Sequence, residues 1–122
     1  MLNLDTHMVV AVLAGDLSSR ELALVSVEPL AVSDIVLWEL TKLVQLKRLK
    51  LDFASDEFKE FLRGVTIFPI SLPIAIQSTQ LDFKSDPADE IIAATSIVED
   101  IPLLTRDRKL TKSRLVPIAA GG

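Results

Sequence analysis

From one end of the chain to the other, short β-type runs alternate with stretches of helical periodicity, and few folds tolerate that pattern. Leu2–Asp5 is a β run ending in an acid, and Thr6-His7 leads into an apolar helical stretch, Met8–Ala14, that Gly15 stops as a left-handed cap residue does. Ser18-Ser19-Arg20-Glu21 has capping-box spacing, and Pro29–Val32 is the next strand. Ser33 is then expected to cap a helix from Asp34 to about Lys47, in which Ile35, Val36, Leu40, Leu43, Val44 and Leu46 recur near the helical period. Ser55 opens a further helix ending before Gly64, Val65–Phe68 is a strand stopped by Pro69, and Ser71 to about Leu81 is helical. Asp86-Pro87-Ala88-Asp89 supplies an N-cap, a proline at the first helical position and an acid at the third, so Ala88–Glu99 is a helix. Leu103-Leu104 and Leu115–Ile118 are expected as the last two strands, with a basic helical turn between. Strands that alternate with helices form a parallel sheet covered on both faces.

At 122 residues, 49% of them apolar, the chain has the size for one domain spanning 1–122 and can bury a core without staples. With no cysteine, neither a disulfide framework nor a thiolate site can form, and a cytoplasmic location is expected. The mean hydropathy of +0.40 is high. Yet the apolar runs Met8–Ala14, Ile35–Trp38 and Ile91–Ala94 fall well short of the roughly 20 residues a membrane span needs. The first residues, with Asp5 and no positive segment, do not resemble a secretory signal. Thirteen Lys and Arg against seventeen Asp and Glu leave a net charge of −4, the wrong sign for a protein that binds phosphates unaided. Arg106, Arg108, Lys109, Lys112 and Arg114 nevertheless crowd one stretch, which is either a solvated helix end or a guide for a polyanion.

In open parallel sheets, ligands bind beyond the carboxyl ends of the strands, which directs attention to Asp5 and Asp107. If their strands are neighbours where the winding reverses, both face one crevice. Glu39 lies among bulky apolar residues on the helix after the second strand, and Asp89 sits at the third position of its helix. Taken singly, Glu39 reads equally as a flank residue and Asp89 as a dipole-compatible acid. Asp86 is explained as the N-cap. Four carboxylates in one pocket repel and take up protons unless a cation neutralises them. Oxygen ligands without Cys or a cluster of His select Mg²⁺ or Mn²⁺, which activate water for attack on a phosphodiester. Thr105 could position a ligand or water, and His7, the only histidine, reads more readily as a surface residue than as a base.

Leu4-Asp5-Thr6-His7, Ser33 through Trp38-Glu39, Asp86-Pro87-Ala88-Asp89 with Ile91–Ala94, and Leu103-Leu104-Thr105-Arg106-Asp107 together resemble the four ordered motifs of the PIN domains, and among them the VapC-type toxins. The resemblance covers essentially the whole chain. It implies a three-layer α/β/α fold with a five-stranded parallel sheet, and a Mg²⁺- or Mn²⁺-dependent endoribonuclease. It further implies a homodimer and inhibition by a small antitoxin. By the same resemblance the metal-site acids are Asp5, Glu39, Asp89 and Asp107; if the chain cuts RNA, Arg106, Arg108 and Lys109 of the basic stretch are the candidates to guide it. Glu90 departs from the pattern, since many relatives carry Arg there. Two other classes stay open: a catalytically silent module whose acidic pocket receives a partner's Arg or Lys, and a phospho-acceptor domain. The latter wants a Lys after a late strand, where this chain has Arg106-Asp107.

Overall fold

The computed structural model describes residues 1–119. In chain order it contains β1 (Leu2–Leu4), α1 (Thr6–Ala14), α2 (Ser19–Val27), β2 (Leu30–Ser33), α3 (Ile35–Gln45), α4 (Asp56–Gly64), β3 (Val65–Phe68), α5 (Leu72–Gln77), α6 (Pro87–Glu99), β4 (Leu103–Leu104) and α7 (Arg108–Thr111). The sheet runs β3-β2-β1-β4, with every pairing parallel. Winding therefore leaves β1 toward β2 and β3, then crosses to the other side for β4. The reversal falls between β1 and β4, so the residues that follow these two strands open into one crevice.

Consecutive strand residues point to opposite faces, and Leu2, Asn3 and Leu4 are all buried, as are Ala31, Val32 and Ser33. The centre of the sheet is thus covered on both sides. Its packing joins Leu2, Leu4, Met8, Val9, Val32, Val36, Leu40, Ile92, Leu103, Leu104 and Leu110 into one apolar cluster. Asn3 and Ser33 are the polar residues buried in β1 and β2; Asn3 anchors a helix. Its Nδ2 donates to the Ile92 carbonyl at 3.3 Å and to Ser96 Oγ at 2.9 Å, fixing α6 against β1.

Most element boundaries follow the local chemistry. Gly15 closes α1 at φ 70, Ser18 and Glu21 form the reciprocal capping box of α2, and Ser55, Ser71 and Asp86 each accept a backbone N–H from the first turn of their helix. The start of α3 differs, because its N-cap is Asp34 rather than Ser33 and makes no side-chain cap bond. Ser33 Oγ instead accepts from Ile35 N at 3.3 Å. Its end comes early as well. Lys47 adopts φ 59, and the N–H groups of Lys47 and Arg48 turn back to the Val44 and Leu43 carbonyls.

The expected fifth strand is corrected to a single bridge: among the described residues the sheet has four strands, and only Ile118 pairs with Leu103. The cause is local. Ser113 Oγ accepts the N–H groups of both Leu115 and Val116 at 3.1 and 3.2 Å, holding them in a turn, and Pro117 has no N–H to give. Pro117 and Ala119 still flank the outer edge of β4, through Leu103 N to the Pro117 carbonyl at 2.8 Å and Ala119 N to the Leu103 carbonyl at 2.9 Å. Among the described residues no helix is long and apolar enough to cross a membrane.

Candidate active site

Asp5 directly follows β1 and is only 4% exposed. One carboxylate oxygen caps α1 by accepting from Met8 N at 2.9 Å, and the other accepts from the Thr105 hydroxyl just beyond β4. Thr105 Oγ1 also accepts from Asp107 N at 3.0 Å. A single hydroxyl therefore locks together the two strand ends at the winding reversal. Burial raises the Asp5 pKa above its ordinary value, against the opposing hydrogen bonds from Thr105 and Met8.

Glu39 points from α3 toward the same crevice, its Oε1 accepting from the Thr6 hydroxyl at the start of α1. Half-buried, it is also held above the ordinary carboxylate range, by burial first and then by the negative charges of Asp86 and Asp5. Asp89 occupies the first turn of α6. Its Oδ2 accepts from Ser85 Oγ at 2.9 Å, and its N–H donates to Asp86 Oδ1 at 2.9 Å. Burial, reinforced by Asp86, Glu39 and Asp107, pushes its carboxyl up to about 6. Asp107 caps α7 through Lys109 N at 2.7 Å and adds its charge to those felt by Asp5 and Asp89.

The structure thus brings Asp5, Glu39, Asp89 and Asp107 into one field of mutual repulsion, with Asp86 as a fifth member. As they stand, no set of three or more His or acidic side chains among the described residues is arranged to hold an ion. Each of three acids has a donor of its own: Thr6 for Glu39, Ser85 for Asp89 and Lys109 N for Asp107. The donor set itself fits a hard divalent cation, since it is all oxygen and gathers negative charge that a cation would offset.

Beside the acids lies a cleft of about 420 Å³, lined by Ile35, Trp38 and Glu39 of α3 and by Asp86, Pro87 and Ala88 at the start of α6. Thr6 and Ser85 are participants that the sequence did not mark, and Asp86 is one it explained only as a cap. Asp86 does cap α6 as expected, but it also lines the cleft and acts on two of the acids. A hydroxyl residue immediately after a strand-ending Asp was the available signal for Thr6; Ser85, in a loop, offered none.

The basic stretch divides. Arg106 donates Nε and Nη2 to Glu21 of α2 at 2.9 and 2.7 Å and a further bond to the Asp16 carbonyl at 2.8 Å. This guanidinium holds the Glu21 carboxyl down at about 2. Arg108 and Lys109 lie exposed on α7, next to Asp107, and Lys112 and Arg114 are exposed beyond it. Asp82 ties down the turn that carries Arg114, accepting from Ser113 Oγ at 2.6 Å and Arg114 N at 2.8 Å. His7 is exposed, and Glu90, the departure from the motif, accepts from Ser85 N at 3.4 Å.

The sequence matches the PIN domain family over residues 3–114. No curated protein matches it. Among solved structures, the chain is similar to a protein of a toxin–antitoxin complex from Klebsiella pneumoniae, at 21% identity and a TM-score of 0.73, covering 100% of this chain and 98% of the other. A chain from VapBC2 of Rickettsia felis, solved bound to a promoter DNA fragment, aligns at 23% identity and TM-score 0.75 over 98% of both chains. One from FitAcB of Neisseria gonorrhoeae aligns at 19% identity and TM-score 0.71, over 99% of this chain and 98% of its own.

Proposed function

Since this chain belongs to the PIN domain family, we propose that it is a Mg²⁺- or Mn²⁺-dependent endoribonuclease, acting as the toxin of a type II toxin–antitoxin pair. The observation that carries this is the gathering of acids around the winding reversal, three of which, Asp5, Glu39 and Asp89, are raised by burial and by neighbouring carboxylates. Burying several carboxylates together destabilises a fold unless a cation offsets them, so their grouping there favours metal binding over structural support.

Asp5, Glu39, Asp89 and Asp107 would hold the ion. When bound it supplies a water activated for in-line attack on a phosphodiester and positive charge against the phosphoryl oxygens. The chain's own residues do the positioning. Thr105 fixes one oxygen of Asp5 and the α1 N-terminus fixes the other, so this carboxylate cannot rotate freely. Thr6 orients Glu39 and Ser85 orients Asp89. Exposed Arg108 and Lys109 flank Asp107, where they can hold the strand's phosphates. Arg106, turned toward Glu21, serves RNA only if it leaves that ion pair.

The partners follow from the same reading. The similar Klebsiella pneumoniae protein belongs to a toxin–antitoxin complex, and a small antitoxin is proposed here too. The chain works as one domain in the cytoplasm. Homodimerisation is favoured by Ile67, Ile70, Leu72 and Ile76, exposed on and after the edge strand β3. The test is cleavage of a fluorogenic RNA by the wild type with Mn²⁺ and with chelator, beside Asp5→Asn, which keeps the helix cap but removes the charge. Cleavage that needs Mn²⁺ and is lost in Asp5→Asn supports the proposal. A protein that binds a partner's Arg-bearing peptide and cuts no RNA under any divalent ion is instead a silent binding module.

A further inference from the structure

The chain's single tryptophan, Trp38, is 55% exposed, an unusual place for so large an apolar ring. On α3, Ile35, Trp38, Glu39 and Lys42 fall at i, i+3, i+4 and i+7 and so share one face. Trp38 and Ile35 form one wall of the cleft, Pro87 and Ala88 form the other, and Glu39 and Asp86 put carboxylates on both. Lys42 Nζ lies 5.8 Å from the centre of the indole, at the rim.

This chemistry selects the occupant. A phosphate without a cation beside it is repelled by Glu39 and Asp86, whereas a neutral flat π-system meets Ile35, Trp38 and Pro87. A second copy of the chain closing over Trp38 would also bury the charges of those two carboxylates, which is costly. A group that stacks here lies beside the proposed metal ligands, and in a single strand the base hangs next to its own phosphate. An aromatic face with a cation at its edge is the pairing that single-strand binders use. Resting on the ribonuclease reading above, we infer that Trp38 is the platform on which a nucleobase next to the scissile phosphate stacks. It is a substrate-positioning residue that the four carboxylates do not account for.

Because no other tryptophan contributes, intrinsic fluorescence reports this one ring. Wild-type protein in Ca²⁺ is titrated with a short single-stranded oligoribonucleotide and with an abasic strand of the same length. Emission should be quenched by the first and little changed by the second. Trp38→Ala should then raise KM for RNA cleavage by about tenfold or more, with kcat less affected and Trp38→Phe partly restoring it. Quenching equal for both strands, or an unchanged KM in Trp38→Ala, overturns the inference while leaving the nuclease intact. Emission that shifts with protein concentration and ignores RNA, with a dimer in sedimentation, shows a second copy on the ring and also overturns it. Base-dependent quenching without any cleavage keeps the stacking site and removes the ribonuclease reading.

Discussion

Asp89→Asn should stabilise the metal-free protein while ending its response to metal. The Asp89 carboxyl is lifted from an ordinary 3.8 to about 6, chiefly by burial. At full weight, a difference of that size means that ionising it in the fold costs about 3 kcal/mol more than in the unfolded chain. The side chain is only half-buried, so solvent screening leaves about 1–2 kcal/mol. A raised carboxyl favours the fold fully below its unfolded pKa and loses that contribution as pH climbs through the folded one. Wild-type protein in chelator should therefore lose stability between about pH 4 and 6. Asp89→Asn lacks this loss and keeps an oxygen for Ser85. Above pH 7 the variant should melt roughly 3–10 °C higher in chelator, given the heat-denaturation entropy of a chain this size. Saturating Mn²⁺ should reverse the order, since an ion at about 100 times its Kd adds about 2.7 kcal/mol to the wild type alone. The assay is thermal unfolding followed by circular dichroism across pH, with chelator and with Mn²⁺. A variant that melts below wild type in chelator above pH 7, or that Mn²⁺ stabilises as much as wild type, would refute the reasoning and leave Asp89 a plain first-turn acid of α6.

Two further expectations follow. Arg106→Ala should cost under about 1 kcal/mol, as expected of an exposed pair, yet release α2 first, seen as faster amide exchange confined to residues 19–27. Because Glu21 is held at about 2, the pair's contribution should persist at pH 4 and fade only as pH falls from the ordinary 4.5 through about 2; a loss complete by pH 4 would contradict this. Replacing Arg108 and Lys109 together with Ala should lower the salt dependence of RNA binding by about two counterions, with Mn²⁺ affinity unchanged, and an unaltered slope would return both to the solvated surface.

The strand and helix order was legible because each boundary carries its own chemistry: Gly15, Ser18 with Glu21, and Asp86 with Pro87 act on backbone groups within a few residues. What escaped depends on competition between neighbours. Leu115–Ile118 has the apolar run of a strand, but Ser113 claims two of its N–H groups and Pro117 lacks a third. Ser33 looked like the cap of α3, and its hydroxyl does reach Ile35 N, yet the turn places Asp34 at the cap itself. At the site, Asp5 and Asp107 could be paired from topology alone. Their coupling through Thr105, and the hold of Thr6 on Glu39, join distant parts of the chain and leave no periodic trace. Asp86 shows the limit of one-role reasoning: a residue fully explained as a cap also lines the cleft.

The bond between Thr105 and Asp5 spans 100 positions. On a ribosome adding about 5–20 residues each second, roughly 5–20 s separate the emergence of the two partners. Throughout that interval Asp5 can cap α1, a local contact, but the strand that sets it beside Asp107 does not yet exist. A nascent chain accordingly carries half a crevice until β4 is made and pairs with β1. On the toxin reading proposed above, synthesis itself becomes a safety interval, during which a partner translated nearby can be waiting before the carboxylates are assembled.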